Sequence, residues 1–286
     1  ASNEVINGAS QLFETCKYLR TEDLNLVKDA LLIAHTAHRY YSKDPEKATR
    51  KDGSEYTTHL IAVAQLLAAE KCDATTLQAA LLHDTLENTK MTREILQSSF
   101  GGEGLKSVDT VTKVEGSIVQ TESKILDGLR KSPRGILIKL ADRLHNLRTI
   151  KSLGRSKQES IANQTIDILA PTARELGLYA WADELYDRSF EVLWKEAYDR
   201  AVTEREKGTQ LAIGTFEPNE QYIKNKYPDV TVSLKKPPVY SFVEFEKSSV
   251  RVSENQNSVV EIIAEGEDRT KIIKYFAGIV QNSSIT

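Results

Sequence analysis

Apolar residues between Leu24 and about Lys207 recur at every third or fourth position, the spacing that places side chains on one face of a helix. Proline and glycine seldom interrupt this pattern. The run Thr75-Thr76-Leu77-Gln78 has the form of a capping box, which predicts a helix that begins there and continues through Asn88. The first 207 residues are therefore predicted to be all-α, with short helices joined by tight loops.

The pattern changes near residue 208, where apolar and polar residues begin to alternate. This alternation predicts about five short strands, at Leu211–Ile213, Val230–Leu234, Tyr240–Phe245, Val250–Val252 and Val259–Ile263. A final amphipathic helix is predicted over Arg269–Gln281. The sequence thus predicts a mainly α helical bundle over residues 1–207, followed by a small α+β C-terminal domain over residues 208–286.

Composition and charge argue against nucleic acids and membranes as binding partners. The 286 residues include 38 Lys and Arg against 41 Asp and Glu, a net charge of −3, so no positive field is available to hold a nucleic-acid backbone. No apolar run reaches the roughly 18 to 20 residues of a membrane span, and the segment Ala1–Glu4 does not resemble a signal peptide. Cys16 and Cys72 lack zinc-type spacing. These features predict a cytoplasmic protein without membrane or nucleic-acid partners.

Imidazole and carboxylate side chains interrupt three otherwise apolar helices. His83 and Asp84 follow two leucines, His59 lies at the start of a preceding helix, and Asp142 lies within a later one. Burying such groups costs several kcal/mol unless they are paired or bind a metal. A lone buried histidine is commonly satisfied by a backbone carbonyl, but two imidazoles and two carboxylates form a mixed N/O set that suits manganese, iron or zinc.

Further polar residues follow the same helices. Glu87 lies four residues after His83, so on a continuous helix the two share a face, and a carboxylate beside a metal ion is a natural base. Asp142, Asn146 and Thr149 have the spacing of a single helical stripe about 10 Å long.

The order His59, His83-Asp84 and Asp142 resembles the H…HD…D signature of HD-domain metal-dependent phosphohydrolases. The surrounding segments resemble the hydrolase domain of the RelA/SpoT alarmone enzymes, including the stand-alone small alarmone hydrolases. These segments are Arg50–Tyr56, Ala79–Thr89, Val108–Lys113 and Ile138–Thr149. The resemblance covers roughly residues 24 to 195, so residues 1–207 are expected to form an HD-domain helical bundle.

The resemblance implies a site and a reaction. Removal of the 3′-pyrophosphate of guanosine tetra- or pentaphosphate (ppGpp or pppGpp) would yield GDP or GTP, with Glu87 helping to activate the attacking water. One Mn²⁺ would be held by His59, His83, Asp84 and Asp142. Arg50 and Lys51 would flank the base, Asn146 and Thr149 would contact ribose and guanine, and Lys139, Arg143 and Lys113 are candidates to neutralise phosphates. Arg143 is equally suited to a structural contact with an acidic side chain.

Three departures from the family pattern stand out. Asn88 occupies a catalytic position where the family usually has Asp, and Asn cannot take up a proton near neutral pH. Either Glu87 suffices or the enzyme is slow, in which case Asn88→Asp is predicted to raise kcat by about 10²-fold. About ten additional positions, from Tyr40 to Thr49, form an insertion that could change which nucleotide fits. Leu60 replaces a proline, which is a minor change.

Alternative functions keep parts of this site. The substrate could instead be an adenosine 3′-pyrophosphate or NADPH, or Asn88 could have abolished turnover and left a nucleotide sensor. Residues 208–286 contain no His or Cys, so this domain is expected to bind a ligand, cover the hydrolase or form a homo-oligomer rather than catalyse. The absence of a synthetase motif implies degradation of the alarmone in the stringent response.

Overall fold

The computed structural model describes residues 1–44, 49–98, 133–207, 225, 231–235, 238–246, 249–252 and 261–265. Within it the chain forms two compact units, Ala1–Trp181 and Ala182–Thr286. None of the helices in the described ranges is both long and apolar enough to cross a bilayer.

The regular elements of the first unit are helices in its described part, which also contains isolated β-bridges at Ser42–Thr89 and Thr49–Glu55. Its α-helices are α1 (Asn3–Thr15), α2 (Thr21–Tyr40), α3 (Tyr56–Ala69), α4 (Ala74–Leu82), α5 (Thr85–Asn88), α6 (Pro133–Arg148), α7 (Arg155–Gln164) and α8 (Ala170–Glu175). Short 3₁₀ turns at Cys16–Tyr18 and Ile150–Ser152 and a π-helical turn at Thr165–Leu169 connect some of them. Helix α9 (Tyr179–Leu193) passes from the first unit into the second. The predicted all-α bundle is confirmed for these residues.

Helix α3 lies at the centre of the first unit because it is apolar nearly all round, which is typical of a helix buried on every side. It contacts α1, α4 and α6. Leu60, at the position where the family has proline, is fully buried in the second turn of α3. The helix therefore carries His59 and Tyr56 on a rigid, well-packed support.

The predicted helix from Thr75 through Asn88 is wrong at its start and in its continuity, although α5 does end at Asn88. Asp73 caps the helix instead of Thr75, because its side chain accepts a hydrogen bond from the Thr76 N–H at 2.9 Å. At the other end α4 stops at Leu82, and α5 begins only at Thr85. The His83-Asp84 pair occupies the break between the two helices.

The described strands of the second unit form two antiparallel pairs. Strand β1 (Thr231–Lys235) pairs with β4 (Glu261–Glu265), and β2 (Val243–Glu246) pairs with β3 (Ser249–Val252). The strand predicted over Tyr240–Phe245 is wrong in its first half, where Val239–Phe242 is a 3₁₀ helix. The Asp187 carboxylate fixes this turn by accepting the N–H groups of Val239 and Tyr240 at 2.9 and 2.8 Å.

Two elements predicted for the C-terminal domain, the strand Leu211–Ile213 and the helix Arg269–Gln281, lie outside the described residues. The α+β class of this domain and its boundary at residue 208 therefore stay predictions.

Candidate active site

Four predicted metal ligands from three parts of the chain meet beside α3. The His59 Nε2 atom lies 3.3 Å from Asp142 Oδ1 and 3.8 Å from Asp84 Oδ2. The His83 Nε2 atom lies 3.4 Å from Asp84 Oδ2 and 3.8 Å from Asp142 Oδ1. An ion about 2.1 Å from each of four N/O ligands sets those ligand atoms roughly 3.0 to 3.5 Å apart. The ligand atoms of His59, His83 and Asp84 all lie within 4.8 Å of one another and could hold a metal ion, and Asp142 Oδ1 lies beside both imidazoles.

The His83 ring is oriented for metal binding. Its Nδ1 lies 2.7 Å from the carbonyl oxygen of Ala80, and because a carbonyl can only accept, Nδ1 carries the proton. The Nε2 atom then faces Asp84 and Asp142. This buried Nε2 has no hydrogen-bond partner among the described residues. A buried nitrogen in that state, facing two carboxylates, fits a site for a cation.

The charged side chains at the site shift one another's pKa values. Burial would raise the pKa of Asp142, but the Lys139 ammonium, 3.3 Å away, and the neighbouring imidazoles of His59 and His83 hold it well below its usual range. Burial would lower the pKa of His83, but the carboxylates of Asp84 and Asp142 raise it to about 9. Binding of a cation at Nε2 must therefore displace a proton from His83.

His145 is part of this cluster, although the sequence reasoning did not select it. Its Nδ1 lies 2.8 Å from the Nδ1 of His59, and the two rings are 4.8 Å apart. Burial lowers the pKa of both rings, to about 3 in His145, so one neutral imidazole donates to the other. A signal was present in the sequence, because His145 follows Asp142 by one helical turn.

Tyr56 was also missed and lies next to the ligands. Its ring stacks on His38, with centroids 4.5 Å apart and an interplanar angle of 4°. Its hydroxyl donates a short hydrogen bond to Asp84 Oδ2 and accepts one from the Asn88 amide at 3.1 Å. Because Tyr56 lies 28 and 32 residues from these partners, no local spacing pattern indicated the contacts.

Three predicted nucleotide-binding residues converge beside the metal cluster. The Arg50 guanidinium donates to Asn146 Oδ1 at 3.0 Å and to Thr149 Oγ1 at 3.4 Å. The Asn146 amide in turn donates to the metal-ligand candidate Asp142 at 2.7 Å. Arg50 begins a tight turn in which Gly53 adopts a φ of +86°, a conformation that side-chain-bearing residues rarely adopt. The predicted stripe is continuous up to Arg148, and Thr149 directly follows the end of α6.

The remaining predicted site residues have different surroundings. Lys51 is exposed on the turn after Arg50, and Lys139 is buried beside Asp142. Glu87 is partly exposed on α5, which begins two residues after His83, so the two residues do not lie on one unbroken helix. Lys113 lies outside the described residues.

Of the two roles considered for Arg143, the contacts of its side chain favour the structural one. Its buried guanidinium donates to the Ile161 carbonyl at 2.8 Å, to Thr165 Oγ1 at 3.1 Å and to the Gln164 side chain. These contacts join α6 to the end of α7. They favour a structural role for Arg143, whose hydrogen-bond partners here are a backbone carbonyl and neutral side chains.

Comparison with known proteins agrees with this geometry. The sequence profile of the HD domain matches residues 30–179, more than half of the chain, so the protein belongs to the HD-domain family. Among its relatives are a GTP pyrophosphokinase of Streptomyces coelicolor (39% identical; 70% of this chain and 24% of the relative) and the bifunctional (p)ppGpp synthase/hydrolase SpoT of Escherichia coli K12 (37%; 66% and 27%). The HD domain is therefore of the RelA/SpoT type.

The matched part spans about a quarter of the length of these curated relatives. A solved metazoan orthologue of SpoT, described as hydrolysing ppGpp, is 26% identical, with 57% of this chain and 85% of that chain covered and a TM-score of 0.38. That TM-score is too low to carry an argument.

Proposed function

We propose that this protein is a metal-dependent hydrolase that removes the 3′-pyrophosphate of ppGpp or pppGpp, with Mn²⁺ as its ion. The observation that carries the proposal is the direct connection of two groups of residues. Asn146 hydrogen-bonds both Asp142, a ligand candidate, and Arg50, a base-binding candidate. A phosphate at the metal and a nucleoside beside Arg50 would therefore lie on adjacent parts of one surface.

The ligand chemistry supports hydrolysis rather than binding alone. A divalent ion held by His59, His83, Asp84 and Asp142 supplies Lewis-acid stabilisation of charge on a phosphate. Lys139 adds a fixed positive charge beside Asp142, where negative charge on the pyrophosphate would develop. Glu87, in the short helix that follows Asp84, is the candidate to accept the proton of the attacking water.

The base-binding residues support a purine nucleotide. The Arg50 guanidinium carbon lies 5.9 Å from the centroid of the Tyr56 ring, and a planar guanidinium can also stack on a purine. The exposed Lys51 follows it on the same turn. Guanosine is preferred over adenosine in this proposal because a relative is named a (p)ppGpp synthase/hydrolase.

The test is incubation of the full chain with Mn²⁺ and, separately, ppGpp, pppGpp, an adenosine 3′-pyrophosphate and NADPH, followed by chromatography. Pyrophosphate with GDP or GTP is the expected result. Release of inorganic phosphate from NADPH would identify NADPH as the substrate instead. Metal-dependent nucleotide binding without turnover would indicate a sensor.

The same assay tests the metal site through substitutions. His83→Ala and Asp142→Ala should abolish both Mn²⁺ binding and hydrolysis, because each removes one of four ligands. Glu159→Ala, which breaks an exposed ion pair with Arg155, is the matched control and should retain both. Wild-type Mn²⁺ stoichiometry in both ligand variants would contradict the site.

We also propose that the protein is cytosolic. Cys16 is a free, buried thiol, the state that a reducing compartment maintains. Burial raises its pKa to about 11, so it stays protonated and unreactive at neutral pH.

A further inference from the structure

The Tyr56 hydroxyl lies between two side chains that differ in what they can donate. It donates its single proton to Asp84 Oδ2, because an ionised carboxylate has no proton to give. The hydroxyl oxygen can then only accept from its other neighbour. The amide nitrogen of Asn88, 3.1 Å away, supplies that donor. The hydrogen bonds therefore run in one direction, from Asn88 to Tyr56 to Asp84.

Contacts of the Tyr56 ring help to hold its hydroxyl between Asn88 and Asp84. The ring is stacked in parallel on His38, which is buried, and presents an edge to His59 at a centroid distance of 5.7 Å. Tyr56 is also the first residue of α3, one turn before His59. These ring contacts hold the hydroxyl next to Asp84.

We propose that Asn88 is a positioning residue for the metal site rather than the remnant of a lost catalytic acid. Its amide holds the Tyr56 hydroxyl, and that hydroxyl holds the Asp84 carboxylate in the orientation that presents Oδ2 to the ion. The inference rests on the proposed metal site but not on the identity of the nucleotide.

The direction of the hydrogen bonds from Asn88 to Tyr56 to Asp84 explains why an amide suits position 88 better than a carboxylate. An ionised Asp at position 88 accepts hydrogen bonds but cannot donate, so two carboxylates would compete for the one hydroxyl proton of Tyr56. Asn88 is only 8% exposed, so water could not readily satisfy the carboxylate that lost this competition. The loss of a carboxylate relative to the family is therefore matched to a local hydrogen-bond requirement.

The test measures Mn²⁺ affinity of the full chain by electron paramagnetic resonance of the free ion, without nucleotide. Asn88→Leu keeps the shape of the side chain and removes the donor, and Tyr56→Phe removes the hydroxyl. Each should weaken Mn²⁺ binding by about 10- to 100-fold, the usual effect of losing a partner of a metal ligand. The double variant should bind no more weakly than Tyr56→Phe, because Asn88 acts only through the hydroxyl.

Thr85→Val is the matched control. Thr85 lies on the same short helix and is fully buried, and its hydroxyl has no hydrogen-bond partner among the described residues. This variant should bind Mn²⁺ like the wild type. Wild-type affinity in Asn88→Leu, or additive losses in the double variant, would overturn the proposal.

A second readout separates positioning from catalysis. In Asn88→Leu, excess Mn²⁺ should restore kcat to within a few-fold of the wild-type value, whereas loss of an acid–base group is not rescued by metal. Asn88→Asp should give no increase in kcat, and a rise of about 10²-fold would restore the idea of a missing acid. If Asn88→Leu and Tyr56→Phe lower Mn²⁺ affinity non-additively but the wild type does not hydrolyse ppGpp, the role of Asn88 stands and the proposed function is rejected. If the wild type hydrolyses ppGpp but Asn88→Leu binds Mn²⁺ with unchanged affinity, the proposed function stands and the role of Asn88 is rejected.

Discussion

Single residues around the ligands decide how the ligands are oriented. His83 is oriented by the backbone of its own helix, but His59 depends on His145, a side chain 86 residues away. If His59 donates its Nδ1 proton to His145, the Nε2 lone pair of His59 is left for the ion. The neutral state of His145, whose pKa burial lowers to about 3, suits it to accept that proton.

We predict that His145→Leu weakens Mn²⁺ binding by about 10- to 100-fold, since the acceptor that orients His59 is lost. Calorimetric titration of the full chain with Mn²⁺ measures the change. His35→Leu is the control, because His35 also contacts α3, through Thr57 at 3.0 Å, but is not proposed to orient a ligand. Equal affinities in His145→Leu and the wild type would show that His59 is oriented without His145.

His38 makes stability depend on pH. Burial lowers its pKa to about 4, below the roughly 6.5 of an exposed imidazole, so the unfolded chain binds the proton more readily than the folded one. Its contribution to stability is therefore full above pH 6.5 and is lost as the pH falls toward 4.

We predict that His38→Gln reduces the loss of unfolding free energy between pH 7 and pH 5, because Gln does not titrate. The full effect for one such group is limited to about 3 kcal/mol. Urea unfolding at the two pH values measures the difference. The same pH dependence in the variant and the wild type would assign the acid sensitivity to other groups.

At the scale of elements, Ser42 and Lys43 support α5. A helix of four residues cannot be stable by itself. Ser42 pairs with Thr89 in an antiparallel bridge, and the Lys43 N–H donates to the Asn88 carbonyl at 2.9 Å. The Lys43 ammonium donates to the carbonyls of Leu86 and Glu87 at 2.9 and 3.1 Å, which satisfies the open end of α5.

We predict that Lys43→Met lowers kcat by about 5-fold, because a weakly held α5 positions Glu87 less well, a loss of about 1 kcal/mol. Because Asn88 also lies on α5, Mn²⁺ affinity can fall as well, so kcat is compared at saturating Mn²⁺. Steady-state kinetics at saturating Mn²⁺ measures the effect. Lys90→Met is the matched control because Lys90 pairs with Tyr41 through its backbone N–H. A similar loss in both variants would contradict a specific role for the Lys43 side chain.

At the scale of the whole molecule, the second unit has a hydrophobic cluster of its own. Phe190, Ala197 and Ala201 pack with Val239, and Trp194 packs against this cluster. Asp187 on α9 accepts the N–H groups of Val239 and Tyr240, while Asp183 accepts the Tyr240 hydroxyl at 2.9 Å. The helical residues before Lys207 thus share a core with residues that follow the predicted domain boundary, and a chain ending at Lys207 would lose it.

We predict that Asp187→Ala destabilises the second unit by about 1 to 3 kcal/mol, because two backbone N–H groups lose their acceptor. Urea unfolding followed by tryptophan fluorescence reports this, since Trp194 contacts the cluster. Asp199→Ala, which removes an exposed ion pair with Lys195, should change stability by less than about 0.5 kcal/mol. An effect of Asp187→Ala as small as that of the control would mean that the turn at Val239 is held by other contacts.

Local sequence was sufficient for features whose physical cause is local. The helical spacing of apolar residues determined the all-α first unit, and polar groups in apolar helices indicated His59, His83, Asp84 and Asp142 because burial without a partner is too costly. The same reasoning failed at His83 and Asp84, where it predicted an unbroken helix. The hydrogen bond from His83 Nδ1 to the Ala80 carbonyl and the end of α4 at Leu82 became visible only in three dimensions.

Only the tertiary structure decided which side chains orient the site. Tyr56 meets Asp84 and Asn88, Arg50 meets Asn146, and His59 meets His145, each across at least 28 residues of sequence. Spacing along one helix cannot indicate such contacts, because they depend on how α3, α5 and α6 pack. The sequence by itself determined which ligand chemistry is available, whereas helix packing determined the direction of the hydrogen bonds that hold those ligands in place.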